Sequence, residues 1–161
     1  MKLSASPLHR LLFNKIRNCG LRNERGVGWT TSSITWADGL RASGDTNGEI
    51  SISNGTGSWQ SAVVAAHDGG VRVLRSAGVG GTGRGLLFSG GGDGAVRAWK
   101  ASTGEGGLRV KQVGEFVGNG MPIVSIGEVH RSSFGNSIRF LVGDSAGAVY
   151  VLKGHFLCDL D

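Results

Sequence analysis

Ser89-Gly90-Gly91-Gly92-Asp93-Gly94-Ala95-Val96-Arg97-Ala98-Trp99 is one of three stretches built on one plan. The others are Ser43-Gly44-Asp45-Thr46-Asn47-Gly48-Glu49-Ile50-Ser51-Ile52 and Val142-Gly143-Asp144-Ser145-Ala146-Gly147-Ala148-Val149-Tyr150-Val151. In each, a first glycine (Gly44, Gly90, Gly143) is followed four residues later by a second (Gly48, Gly94, Gly147). Apolar residues then come at a spacing of two: Ile50 and Ile52, Val96 and Ala98, Val149 and Val151. All six are expected as blade turn glycines, the second of each pair marking the tight turn itself, because glycine takes a positive φ without steric penalty. The alternation predicts a strand with one buried face. Each stretch therefore reads as the hairpin between two antiparallel strands. The copies stand 46 and 53 residues apart, the period of propeller blades.

Working outward, composition fits an all-β chain. Thirty glycines against two prolines, scattered between short Val/Ile/Leu runs, suit many turns and short strands. At 39% hydrophobic and 18% charged residues the chain can bury a core. Cys19 and Cys158 are far apart and share no metal-ligand spacing, so a reducing, intracellular setting is expected. No secretory signal or apolar membrane span is visible.

The net charge of +5 resides in residues 1–25, which hold six Lys/Arg against Glu24 alone. Residues 26–161 hold eleven charges of each sign. The repeat region thus has no overall basic field to draw in nucleic acid. Within the leader, Ser6-Pro7 fits a helix start, Gly20 a stop, and Leu8, Leu11, Leu12, Ile16 and Cys19 one apolar face. Residues 1–25 read either as a short basic amphipathic helix or as a poorly ordered terminus attached to the repeats.

Several motifs suggest chemistry and fail on context. Gly78-Val79-Gly80-Gly81-Thr82-Gly83 has dinucleotide-loop spacing, but Leu86-Leu87-Phe88-Ser89 after it reads as a strand where a helix is required. His9, His67, His130 and His155 have no partners at ligand spacing, so neither a metal nor a cofactor is expected. His67, Asp93 and Ser89 could be drawn as a catalytic triad, but no G-x-S-x-G elbow surrounds Ser89, so no catalytic residue is assigned. Asn54-Gly55-Thr56 fits a glycosylation sequon and reads as an ordinary turn. Trp36 and Trp59 are expected to pack in or between blades.

The span from His67 to Lys100 resembles a WD40 repeat: a His before the first strand, a Ser ending the next, an Asp in the turn and a Trp closing the third. That resemblance implies a structural tetrad of His67, Ser89, Asp93 and Trp99, joined by hydrogen bonds. A closer resemblance is to the echinoderm microtubule-associated protein-like family. It rests on Ala42–Ile50, on Ala65-Ala66-His67-Asp68-Gly69-Gly70-Val71, and on the triple glycine of Leu87–Asp93. The following unit, entered at Pro122-Ile123-Val124, lacks both the turn Asp and the Trp, and Gly154-His155 sits where another unit would begin.

These readings predict a WD40-type propeller region over 26–161, with blades of about 26–60, 61–104 and 105–154. Three blades are fewer than a closed ring holds, so the expectation is an incomplete propeller, from a partial or truncated chain, that self-associates or needs missing blades. The family resemblance implies a non-enzymatic cytoplasmic protein of the cytoskeleton that binds tubulin or microtubules. A generic WD40 scaffold for other protein complexes is the alternative. Arg41, Arg72, Arg75, Arg84 and Arg97 are candidates for basic patches toward acidic tubulin tails.

Overall fold

The computed structural model describes residues 28–36, 39–54, 61–78, 85–131 and 137–155. The leader, Trp59, Arg84 and most of the glycine run after Gly78 lie outside them. The strands are β1 (Thr30–Thr35), β2 (Leu40–Asp45), β3 (Glu49–Asn54), β4 (Ser61–Ala65), β5 (Val71–Gly78) and β6 (Gly85–Gly91). They continue as β7 (Ala95–Gly104), β8 (Gly107–Val117), β9 (Ile123–Arg131), β10 (Ser137–Asp144) and β11 (Val149–His155). Among the described residues no helix is long and apolar enough to cross a membrane.

The strands form three antiparallel sheets in the orders β1-β2-β3-β4, β5-β6-β7-β8 and β9-β10-β11. The leading strands adjoin one another, β5 touching both β1 and β9. This is the arrangement of propeller blades around an axis. Each repeated stretch is the hairpin it was expected to be, joining β2 to β3, β6 to β7 and β10 to β11.

The expected blade boundaries need correction. Ser61–Ala65, assigned to a second blade, pairs with Glu49–Ser53 and closes the first sheet. Gly107–Val117, assigned to the third blade, pairs with β7 and closes the second. Each outer strand precedes the loop into the next blade, so a boundary drawn at the end of the third strand falls one strand early.

Packing explains the alternation along each strand. Ala42, Ile50 and Ile52 of the first sheet pack with Val71, Leu74, Leu87 and Trp99 of the second. The opposite face of that second sheet, Leu86, Phe88, Val96 and Ala98, packs with Ile123, Ile126, Phe140 and Val142 of the third. Phe88 and Phe140 meet with ring centroids 4.3 Å apart. Ile50, Ile52, Leu87, Ile123 and Val142 are fully buried, each worth about 1.5–3 kcal/mol on transfer from water. Hydrophobic stabilisation thus lies between the sheets, and neighbouring blades hold one another.

Three of the six expected turn glycines are in turns. Gly48, Gly94 and Gly147 have φ of 84°, 74° and 86° and follow the two turn residues. Gly44, Gly90 and Gly143 instead lie inside strands β2, β6 and β10. There the absence of a side chain serves packing: a Cβ at Gly44 would project to 2.4 Å from Val71, and one at Gly90 to 2.5 Å from Ile123.

Candidate functional site

Among the described residues, the largest buried polar cluster gathers at the second blade. His67 sits in the loop between β4 and β5, Ser89 on β6, Asp93 in the hairpin turn, and Trp99 on β7. The previous blade fixes the loop, because Gly48 O accepts the backbone N–H of both Ala66 (2.8 Å) and His67 (3.0 Å). The turn binds it from the other side, where Gly92 N–H donates to Gly69 O at 2.6 Å. Gly91 and Gly92 have no room for side chains. A Cβ on Gly91 would come within 2.3 Å of the His67 ring, and one on Gly92 within 2.0 Å of Gly69 O. Gly91 leaves the space the histidine ring needs, and Gly92 the space its loop needs.

The four side chains predicted to meet do so. His67 Nδ1 lies 2.9 Å from Asp93 Oδ1, and His67 Nε2 lies 2.7 Å from Ser89 Oγ. Trp99 Nε1–H donates to Ser89 Oγ at 2.9 Å. One proton assignment satisfies the whole chain: Trp99 donates to Ser89, Ser89 donates to Nε2 of a neutral imidazole, and Nδ1–H donates to Asp93.

Arg97 joins this network, which corrects its assignment to a basic surface patch. Its Nη1 donates to Asp93 Oδ2 and to Ala66 O, both at 2.7 Å, and its Nη2 pairs with Glu115 Oε1 at 2.7 Å. The sequence signal was available, since Arg97 stands four residues after Asp93 on the strand leaving the turn. Arg41, Arg72 and Arg75 are exposed.

Electrostatics follow from this geometry. Burial disfavours ionised Asp93, but Arg97, His67 and the Ala95 N–H outweigh it and hold the pKa at about 2. Burial depresses His67 despite the neighbouring Asp93 carboxylate, consistent with a neutral ring. Burial also opposes ionised Arg97, and the bonds to Asp93 and Glu115 overcome it, raising its pKa.

The third blade solves the same problem with other residues, and sequence reading missed one of them. Asp144 was passed over because no Asp immediately precedes Gly147. It is buried and accepts the N–H of Ala146 and Ala148, each at 2.9 Å, and the Tyr150 hydroxyl at 3.0 Å. Burial opposes its ionisation, but these donors and Asn119 hold its pKa low. Asp45 accepts the N–H of Asn47 and Glu49 in the same way in the first turn. The shared position of Asp45 and Asp144, directly after the first glycine, was the available signal. The second blade carries Gly91 there because His67 occupies the space.

The remaining motifs resolve by position. Gly78 and Gly85 face each other across the antiparallel β5–β6 pair, so a strand follows the glycine run and no helix N-terminus is there to meet a pyrophosphate. Trp36 packs in the core between the first two sheets, while Trp29 is largely exposed. Among the described residues no group of three or more His, Cys, Asp or Glu could hold a metal ion.

No protein-family model and no curated protein matches the chain. Among solved structures it is similar to the β-propeller domain of Cps50 (Swd1) from Myceliophteria thermophila, with 16% identity and a TM-score of 0.52. That likeness covers 94% of this chain and 47% of the Cps50 chain, so this chain spans about half its length. The fold is therefore all-β, a partial β-propeller.

Proposed function

We propose that the chain is a non-enzymatic, protein-binding propeller scaffold that acts on microtubules in the cytoplasm. Its outer surfaces and loops are the working parts. The observation behind the non-enzymatic reading is that the polar cluster is spent internally. Ser89 is fully buried, its hydroxyl taken up between His67 and Trp99, and Asp93 is engaged by His67, Arg97 and the Ala95 N–H. A nucleophile must reach substrate, and this serine faces neither solvent nor a cleft.

The microtubule assignment rests on the sequence resemblance carried by the triple-glycine turn and the His67 loop. Co-sedimentation of the purified chain with taxol-stabilised microtubules tests it, with binding expected to weaken as salt screens the acidic tubulin tails. Retention in the supernatant at every salt concentration favours the second reading, a WD40 scaffold for complexes outside the cytoskeleton. Hydrolase activity lost in a folded Ser89→Ala variant would overturn the non-enzymatic reading itself.

A further inference from the structure

The hairpin of β7 and β8 runs further than its counterpart in the first blade. There the pairing of β3 with β4 extends from Glu49 and Ala65 to Ser53 and Ser61. In the second blade the pairing continues through Lys100 and Lys111 to Gly104 and Gly107. The extension has two unlike faces. Ala101, Leu108 and Val110 pack against the core between the first two sheets. Lys100, Ser102, Arg109 and Lys111 lie on the other face and are exposed.

The cations on that face are set against one another. Lys100 stands directly opposite Lys111, and Ser102 opposite Arg109. Like charges facing each other across a strand pair repel. None of the ion pairs among the described residues involves Lys100, Arg109 or Lys111. The acids of the hairpin lie elsewhere: Glu105 at its tip, and Glu115 on the opposite face, paired with Arg97. Cations along an outer strand are a common guard against unwanted strand pairing. Arg109 and Lys111 on β8 fill that role, but Lys100 sits on the inner strand β7 and adds nothing to it.

Blade packing does not explain the row either. Val96 and Ala98 precede Lys100 on the same face of β7 and are buried against the third sheet. The row turns charged at Lys100. An apolar neighbour over two opposed ammonium groups would strip their water without return, so the blade contact ends there by the row's own chemistry.

We infer that this face binds an acidic segment of a partner protein, held in extended conformation along the outer edge of β8. That strand is last in its sheet, so its outward backbone groups can pair with another strand. Alternate residues of a strand stand about 6.7 Å apart, so carboxylates at alternate positions of the segment fall beside Arg109 and Lys111. Lys100, about 4.8 Å behind on β7, adds its charge to the same row. Arg109 grips a carboxylate through two N–H donors, and the Ser102 hydroxyl is a further donor. The cations that keep copies of this chain from pairing at this edge thus select a partner of opposite charge. The inference rests on the protein-binding reading above, and acidic tubulin tails are one source of such a segment.

Fluorescence anisotropy of the full chain with a labelled peptide of alternating glutamate and threonine tests the site. The expected result is saturable binding that weakens as salt rises, and no binding of the glutamine counterpart. Lys111→Glu and Arg109→Glu each weaken it at least ~10-fold, with circular dichroism unchanged and melting not lowered. Lys100→Gln gives the sharper signature: relief of the opposed charges raises the melting temperature while binding falls. Arg72→Gln and Arg75→Gln, at exposed positions of β5, leave binding unaltered. Absence of peptide binding overturns the proposal, as does binding that withstands Lys100→Gln and Lys111→Glu. Loss of binding with Arg72→Gln or Arg75→Gln places it elsewhere and overturns it equally. Co-sedimentation separates this site from the microtubule reading. Peptide binding by a chain that stays in the supernatant upholds the site and removes microtubules, whereas pelleting by a chain that binds no peptide removes the site alone.

Discussion

Val71 rests on the bare backbone of Gly44, its Cγ1 only 2.4 Å from where a Cβ would project. Ile123 lies over Gly90 in the same way, so one device seats each blade on the next. Both contacts are with β-branched side chains in tightly packed strands, which have little room to move aside. Gly44→Ala and Gly90→Ala should each cost about 1–3 kcal/mol of stability by overpacking. Gly104→Ala is the control, because a Cβ there meets nothing within 4 Å. Urea unfolding of the three variants checks the ranking.

A second comparison separates backbone strain from contact between blades. Gly48 and Gly147 share nearly the same positive φ, 84° and 86°. A Cβ on Gly48 would fall 1.9 Å from His67 O, whereas one on Gly147 would meet nothing within 4 Å. Gly147→Ala should therefore cost only the left-handed backbone penalty of about 1–2 kcal/mol. Gly48→Ala should cost clearly more, and the difference in unfolding free energy isolates the blade-to-blade contact.

Within the polar cluster the hydrogen-bond order predicts an order of damage. Ser89→Ala leaves both Trp99 Nε1–H and His67 Nε2 without a partner, at about 1–3 kcal/mol for each stranded group. Trp99→Phe removes one donor and leaves the Ser89–His67 bond intact, so it should be the milder change despite its lost volume. Asp93→Ala should cost about 1–3 kcal/mol by stranding the His67 Nδ1–H, while Arg97 keeps Ala66 O and Glu115. Thermal melting of the three variants decides, and Trp99→Phe as the most damaging would contradict the network.

Acid should weaken the fold in two steps. His67 has its pKa lowered in the folded state, so the unfolded chain binds the extra proton first. Its stability is fully present above the ordinary value of 6.5 and is lost as pH falls below it. Asp93, lowered from 3.8 to about 2, adds stability that is lost as pH falls from the upper value through the lower. Urea midpoints measured from neutral pH downward should decline first below pH 6.5 and again below 3.8. A His67→Asn variant should lack the first decline.

The legible parts of the sequence were those where local chemistry and tertiary use agree. Gly94 needs a positive φ and Val96 needs a buried face, and both can be read within ten residues. The tetrad was legible because His67, Ser89, Asp93 and Trp99 are residue types that must be partnered when buried. Gly44 and Gly90 look like turn glycines in the sequence, yet they are glycine because Val71 and Ile123, more than 25 residues away, occupy the space. Ser61–Ala65 misled for a related reason: its strand character is local, but its sheet depends on which edge stands nearest. Arg97 looked like a surface charge, although Asp93 stands four residues before it, because its other partner, Glu115, is brought alongside only when β7 pairs with β8.

The bonds from Gly48 O to the Ala66 and His67 amides bear on the order of folding. His67 reaches its place only when the turn of the preceding hairpin has formed, and Gly118 is tied to Gly94 O in the same manner. The chain is thus wired as nearest-neighbour couplings, each blade supplying the template for the loop that opens the next. Folding of such an array spreads outward from a first formed pair. The second blade, flanked on both sides and holding the polar cluster, is the site from which it would spread, and the last hairpin would be the first to fray in native-state hydrogen exchange.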